Sequence, residues 1–241
     1  MNMNELIRQV TEANRMLPQE RLAILTWGNV SGISEDRTCV AVKSSGVDYA
    51  SMTERDITLT DLDGTVLSGG APSTDLPTHL ALYRAFPSVG AVVHIHSTYA
   101  TMWAQAGKAI PCLGTTHADY FYGEIPCTRE LTAEEIGTPA DRHYEKNTGK
   151  VIVEAFSGRD PSKVPAVLVK SHGPFTWGPD PATAVKTALV LEYIAKMAYL
   201  NKTLDQSAPN GISPALLDKH YCRKFGENAY YGQKKSGNTA R

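Results

Sequence analysis

The chain has 241 residues, 42% of them hydrophobic and 20% charged, which is enough to bury the core of one globular domain. Its formal net charge of −1, with no cluster of Lys and Arg, argues against a nucleic-acid partner. The sequence contains no run of about 20 apolar residues, so we expect no membrane span. The four cysteines are widely spaced, a pattern typical of reduced thiols, so we expect a cytoplasmic protein.

The first third of the chain changes from a helical to a strand-like pattern. Apolar residues at helical spacing predict a helix over residues 4–17, which Pro18 should end. Short apolar runs then predict strands at AILTW, CVAVK and ITLTDL, with Asp63 and Gly64 forming a hairpin turn. Asp75 and Pro77 open a predicted helix over residues 76–86.

The remaining chain alternates strands and helices. The first predicted elements are a strand at AVVHIH, a helix capped by Ser97, and strand and loop over 108–130. A polar mobile segment over 131–150 and a helix or strand at VIVEAF follow. The chain then continues with a buried strand at PAVLVKSH, a long helix from Asp180 to about Leu200, and a last helix from Ser213 to Gly226. We expect residues 1–233 to form a single α/β catalytic domain with a partly antiparallel sheet, and residues 234–241 to be a disordered tail.

Three histidines at strand ends are candidate metal ligands. His94 and His96 point the same way from one strand, and His172 ends another strand just before a turn. Asp75 lies just upstream of the H-x-H strand. Three neutral imidazoles with an oxygen ligand suit Zn²⁺, or alternatively Mn²⁺ or Co²⁺. The alternatives are hydrogen-bonded histidines without a metal, and Asp75 as a helix cap only.

Three polar turns are candidate phosphate sites. No nucleotide-binding motif is present, so we expect no nucleotide cofactor. The turns TWGNVSG, KSSGVDY and PSTD offer backbone N–H groups and hydroxyls that can converge on an anion, and Lys43 would add a cation. Each of these turns is also common in proteins that bind no phosphate.

Several motifs together resemble one family. They are TWGNVSG, KSSGVDY, PSTDLPTH, VVHIHS, GTTHADYFYG, IPCTRE, SHGPF-x-WG and LLDKHY…AYYGQ, in one order over nearly the whole chain. This set resembles the class II aldolase/epimerase family. The resemblance implies a three-layer α/β/α domain with a largely antiparallel central sheet, and a homotetramer whose active sites lie between subunits.

The resemblance also implies a role for individual residues. The implied metal ligands are Asp75, His94, His96 and His172, and the implied phosphate-binding residues are Gly28, Asn29, Ser45, Gly46, Ser73 and Thr74. It implies Asp119 and Tyr231 as the acid/base pair, with Tyr231 reaching across from a neighbouring subunit, and Lys43, Thr115 and His220 as supporting residues. The chain departs from the family pattern at KSSG and PSTD, within the phosphate turns, and at Ile95, which is not a ligand position.

The implied reaction interconverts L-ribulose 5-phosphate and D-xylulose 5-phosphate, in pentose catabolism. The C4–H bond is not acidic, so inversion needs either a nicotinamide, for which no motif is present, or cleavage and re-formation of the C3–C4 bond. Cleavage leaves an enediolate, whose charge one divalent metal per subunit would stabilise. The alternatives are a class II aldolase, a zinc hydrolase and a non-catalytic metal-binding or sugar-sensing protein.

Overall fold

The structure is a computed structural model and describes residues 2–141, 143–207 and 210–232. The predicted domain end at residue 233 and the predicted tail over 234–241 lie outside these residues. The helices are α1 (Met3–Gln19), α2 (Leu76–Ala85), α3 (Thr98–Gln105), α4 (Thr115–Ala118), α5 (Ala133–Ile136), α6 (His143–Ala155), α7 (Pro181–Leu204) and α8 (Pro214–Phe225). The strands are β1 (Asn29–Ile33), β2 (Cys39–Lys43), β3 (Ile57–Asp61), β4 (Val66–Ser68), β5 (Ala91–His94), β6 (Ala166–Leu168) and β7 (Pro174–Gly178).

Within the described residues, seven strands form one sheet in the order β4-β3-β2-β1-β5-β7-β6. Every neighbouring pair is antiparallel. The strand β5 lies near the centre, with β1 on one side and β7 on the other. This arrangement confirms the predicted α/β class and the largely antiparallel sheet, and it places the H-x-H segment at the end of a central strand.

Side chains of β5 alternate between the two faces of the sheet. Val93 packs with Leu17 of α1 and with the first half of α7. Val92 belongs to the cluster on the opposite face, together with Leu80 of α2 and apolar residues of α6. The result is a three-layer α/β/α domain. Because alternate residues of a strand share a face, His94 lies on the side that α2 and α6 cover.

The predicted strand AILTW is wrong. The helix α1 continues through Pro18, and the backbone N–H groups of Leu22 and Ala23 donate to the carbonyl of Leu17 in its last turn. The chain then turns, and the side chains of Ile24 and Trp27 are 62% and 51% exposed. The apolar run therefore follows a helix end instead of crossing the sheet.

The segment over 131–150 was predicted to be mobile, and it is instead largely helical. The helix α5 begins with a capping box between Thr132 and Glu135. The carboxylate of Glu135 also pairs with Arg129 at 2.6 Å. The backbone carbonyl of Glu135 accepts a hydrogen bond from the side chain of Asn147 in α6 at 2.8 Å. These contacts tie α5 to α6, which also contains most of the ambiguous VIVEAF run.

The helix α7 spans 24 residues, and the predicted Asp180 is its N-cap, whose side chain accepts from the N–H of Thr183. Its first half is buried against the sheet. From Leu189 onward the helix carries an exposed apolar stripe, the α7 stripe, formed by Leu189, Tyr193, Met197, Leu200 and Leu204. Among the residues that the structure describes, no helix combines the length and the apolarity needed to traverse a lipid bilayer.

Candidate metal site and its surroundings

Three imidazole rings meet at one end of the sheet. His94 ends β5, His96 follows two residues later, and the pairing of His94 with Phe175 of β7 brings His172 alongside them. Ligand nitrogens of the three rings all lie within 4.8 Å of one another, and the Nε2 atoms of His94 and His96 are 3.1 Å apart. Three nitrogen donors converging in this way could hold one divalent metal ion.

Hydrogen bonds orient two of these rings. The Nδ1 of His94 lies 3.1 Å from the carbonyl oxygen of Pro174, and the Nδ1 of His172 lies 3.1 Å from the hydroxyl of Tyr144. The ring of His94 also stacks on Phe175, with centroids 4.2 Å apart. A neutral imidazole that donates through Nδ1 keeps the Nε2 lone pair for a metal. The donor set therefore suits a metal in both chemistry and orientation.

The surroundings of His96 and His172 favour the neutral form of both rings. Desolvation, followed by the neighbouring His94 and His96, lowers the pKa of His172 to about 3. Desolvation, followed by His94, lowers the pKa of the more exposed His96 to about 4. Both side chains are therefore uncharged at neutral pH, and a metal would compete with few protons there.

Asp75 lies beside the three rings at the start of α2. It occupies the N-cap position, but its side chain makes no capping hydrogen bond, so a capping role alone does not account for it. Its Oδ2 instead accepts from the Nδ2 of Asn29 at 2.7 Å. Burial alone would raise the pKa of this carboxyl, but nearby His94 and His79 and the Asn29 amide hold it below its usual range.

These side chains open onto a cavity of about 330 Å³, which we call the metal cavity. It is lined by Thr26, Trp27, Gly28, Asn29, Lys43, Ser45, Gly46, Ser73, Thr74, Asp75, His94, His96 and His172. All four predicted metal ligands and all six predicted phosphate-binding residues are among them, with Lys43. The structure thus brings together turns that are separated by up to 46 residues in the chain.

Backbone N–H groups around the metal cavity are the candidate anion donors. The N–H groups of Ser45 and Ser73 donate to backbone carbonyls, so these two residues can offer only their hydroxyls. Among the described residues, no hydrogen-bond acceptor is found for the N–H groups of Gly28, Gly46 and Thr74. Gly28 has φ +91°, and a Cβ there would lie 2.7 Å from the carbonyl oxygen of His94. This position therefore requires glycine.

Lys43 ends β2 with its side chain almost entirely buried at the metal cavity. Its Nζ donates to the carbonyl of Ser44 at 3.4 Å and lies 5.2 Å from the centre of the Tyr49 ring. Desolvation lowers the pKa of this ammonium, against the opposing effect of Asp48 and Asp56. A bound anion would offset this desolvation, which makes Lys43 a suitable phosphate partner.

Asp119 belongs to a second group of residues, which we call the Asp119 cluster: Asp119, His220, Arg223 and Tyr231. Thr115 begins α4, and its carbonyl accepts from the N–H of Asp119 one turn later. The Asp119 carboxylate accepts from Arg223 Nη2 at 2.8 Å and lies 3.1 Å from His220 Nδ1. The guanidinium of Arg223 lies 4.3 Å from the centre of the Tyr231 ring.

Opposing effects set the charge of Asp119. Partial burial would raise the pKa of its carboxyl, but hydrogen bonds from Arg223 and His220 lower it below its usual range. Among the described residues that line the metal cavity, neither Asp119 nor Tyr231 is present. Within one chain, the predicted acid/base pair is therefore not part of the lining of the metal cavity.

Sequence reasoning missed three side chains. Trp27 lines the metal cavity, with its ring centre 6.4 Å from that of His96, although it stands inside the motif TWGNVSG. Arg223 follows His220 by one helical turn on α8, a spacing that places both on one face. Tyr144 lies in the segment predicted to be mobile, so no local signal pointed to its contact with His172.

Comparison with known proteins gives three findings. The model of the Class II Aldolase and Adducin N-terminal domain family matches residues 8–199. Two proteins named L-ribulose-5-phosphate 4-epimerase UlaF, from Salmonella paratyphi C (strain RKS4594) and Salmonella choleraesuis (strain SC-B67), are each 52% identical over 233 residues, covering 96% of this chain and 100% of the relative. A solved L-fuculose 1-phosphate aldolase matches with a TM-score of 0.77 at 24% identity, covering 91% of this chain and 96% of the other.

Proposed function

Because the chain belongs to the class II aldolase family, we propose that it is a metal-dependent L-ribulose-5-phosphate 4-epimerase that forms D-xylulose 5-phosphate. The observation that carries the proposal is the convergence of three imidazoles on a cavity that also presents Lys43 and the turn residues Gly28 and Gly46. The two epimerase relatives, which align over their whole length, support it. Family membership gives no support to the zinc-hydrolase alternative.

The metal ligands in this proposal are the three imidazoles and Asp75. A divalent ion held there, with Zn²⁺ favoured by the nitrogen-rich donor set, would act as a Lewis acid for the negative charge that C3–C4 cleavage leaves on the substrate. The hydrogen bonds of His94 and His172 at Nδ1 would leave the Nε2 atoms of both rings for the metal. Asn29 fixes the carboxylate of Asp75 beside them.

The phosphate in this proposal is held by the turns around Gly28, Ser45 and Thr74. The N–H groups of Gly28, Gly46 and Thr74 and the hydroxyls of these turns would donate to its oxygens, and Lys43 would contribute a buried positive charge. Phosphate binding would also serve the reaction itself. It retains the phosphorylated aldehyde fragment while its carbonyl rotates, so that the same two fragments rejoin.

Proton transfer at the C4 hydroxyl is assigned to Asp119 and Tyr231. The ionised Asp119 accepts the hydroxyl proton of one epimer as the C3–C4 bond breaks, and the phenol of Tyr231 returns a proton to C4 oxygen after the bond forms on the other face. The reverse direction exchanges the two roles. Exchange with solvent restores both groups, so the enzyme ends each cycle unchanged.

We propose a homotetramer in which the Asp119 cluster of one subunit meets the metal cavity of its neighbour. Two features support this assembly. The acid/base pair does not line the metal cavity of its own chain, and the α7 stripe offers an apolar surface that a second copy would cover. Sedimentation should give four times the mass of one chain, and a monomeric active enzyme would contradict the arrangement.

Conversion of L-ribulose 5-phosphate is the direct test of the activity. With Zn²⁺ supplied, we expect D-xylulose 5-phosphate to form, and we expect chelation of the metal to abolish the reaction. Release of free glycolaldehyde phosphate would identify an aldolase instead. Absence of any product from the metal-loaded protein would refute the proposed function.

A further inference from the structure

Tyr144 is joined to the metal cavity from the outside. Its hydroxyl lies 3.1 Å from the Nδ1 of His172, and the two ring centres are 5.8 Å apart. Tyr144 is not among the described residues that line the metal cavity, so its hydroxyl reaches His172 from outside that cavity. The half-buried tyrosine occupies the Nδ1 side of this candidate ligand, which leaves Nε2 as the nitrogen for a metal.

The hydrogen bond has one direction that is compatible with a metal. If the Tyr144 hydroxyl donates to Nδ1, the neutral ring of His172 carries its proton on Nε2 and cannot bind a metal there. If the Nδ1–H of His172 donates to the hydroxyl oxygen, the Nε2 lone pair is free. We therefore propose that Tyr144 is a positioning residue that holds His172 in its Nδ1–H tautomer for metal binding, an inference that rests on the metal site of the proposed function.

The partner on His94 shows why Tyr144 has a specific role. His94 is oriented by the backbone carbonyl of Pro174, which no side-chain substitution removes. His172 depends on a side chain. Among the described residues, Tyr144 is the side chain that forms a hydrogen bond with the Nδ1 atom of a candidate ligand. The metal site should therefore be sensitive to a change in α6, which lies in a different part of the chain.

The position of Tyr144 is fixed by close packing of α6 on α2. The buried hydroxyl of Thr78 donates to the carbonyl of Glu145 at 2.6 Å. Gly149 allows the two helices to approach, since a Cβ at this position would lie 2.5 Å from the Cβ of Ala81. The helix α2 also begins beside Asp75. One helix pair therefore supports two of the four proposed ligands.

The test is the affinity of the metal-free full-length protein for Zn²⁺ alone, measured by competition with a chelator. Tyr144→Phe keeps the ring and removes only the hydroxyl, so the fold should be retained. We expect its dissociation constant for Zn²⁺ to rise roughly tenfold, the lower end of the effect seen when such supporting partners are removed. Tyr99→Phe, on α3, is the matched control and should leave the affinity unchanged.

A spectroscopic readout separates positioning from general destabilisation. In ¹⁵N-labelled zinc-loaded protein, the Nδ1 proton of His172 should be protected from exchange, and Tyr144→Phe should lose this protection while the Nδ1 proton of His94 keeps its own. A Zn²⁺ affinity within twofold of the parent, or an unchanged His172 signal, would overturn the role of Tyr144. If the parent binds Zn²⁺ but fails to convert L-ribulose 5-phosphate, the proposed function fails while the effect of Tyr144→Phe on affinity still decides this inference.

Discussion

The metal cavity and the Asp119 cluster are built in different ways. In the metal cavity, imidazoles stand at or just beyond the ends of paired strands, where the register of the sheet sets their positions. In the Asp119 cluster, a carboxylate is ion-paired with Arg223, a residue of α8, and no residue of that helix is buried in the described chain. The proposed metal binding and the proposed proton transfer therefore rest on separate parts of the fold, and substitutions should separate them.

His96→Ala should have the largest effect, because it removes one of three nitrogen donors. We expect the protein to lose its metal and nearly all epimerase activity, as measured by elemental analysis and by turnover of L-ribulose 5-phosphate. His143→Ala is the matched control, since this exposed histidine lies at the start of α6. Full activity in a metal-depleted His96→Ala sample would contradict the account of the metal cavity.

Asp119→Asn should reduce turnover while leaving the metal in place. Removal of a general base costs roughly 10²–10⁴-fold in rate, and the metal cavity contains no residue of this cluster. Asp218→Asn on α8 is the control, because this carboxylate accepts a hydrogen bond from Tyr122 instead. Loss of zinc from the Asp119→Asn protein would show that the two regions are not independent.

Tyr231→Phe should lower turnover by roughly 10²-fold, because it removes the second proton-transfer group but keeps the ring against Arg223. The matched control is Tyr230→Phe, which removes the same hydroxyl from the preceding residue. We expect Tyr230→Phe to retain the parental rate and both variants to retain their metal. Equal rates for Tyr231→Phe and the parent would remove Tyr231 from the mechanism.

His117 should give a smaller effect, on stability and its pH dependence. Burial lowers the pKa of this ring to about 4, although its hydrogen bond to the carbonyl of Gly123 opposes the shift. The unfolded chain, with a pKa near 6.5, binds the proton first as pH falls. The free energy of unfolding therefore decreases as pH falls from 6.5 to about 4, by about 1.4 kcal/mol per pH unit for this group.

Urea unfolding of metal-free protein between pH 4.5 and 7 measures this slope. His117→Gln removes the titrating ring and should flatten the pH dependence relative to the parent in that window. The other histidines contribute equally to both proteins, so the difference isolates His117. A parallel pH dependence in the two proteins would show that His117 is protonated equally in the folded and the unfolded states.

The arrangement of the three histidines could be predicted because it depends on local rules. Alternation along a strand places His94 and His96 on one side, and the turn after His172 marks a strand end. The structure adds two corrections, since β5 ends at His94 and β6 ends at Leu168, so that His96 and His172 lie just beyond these strands. Ile95 still packs into the core between His94 and His96, so these two rings share a side.

Other features could not be predicted because they depend on tertiary contacts. The strand β1 lies largely within TWGNVSG, which was interpreted as a turn, and β7 begins at Pro174, where only the turn after His172 was predicted. The segment containing α5 and α6 is polar, and its helices depend on ion pairs with Arg129 and on packing against α2. The contact between Tyr144 and His172 follows from that packing, so no sequence pattern could indicate it.

X-ray absorption at the zinc K-edge of the metal-loaded protein tests directly whether three imidazoles bind one Zn²⁺ ion. The account predicts first-shell scattering from three imidazole nitrogens at about 2.0–2.1 Å, with oxygen ligands completing the shell. Sulfur ligands at about 2.3 Å, or fewer than three imidazoles, would contradict it.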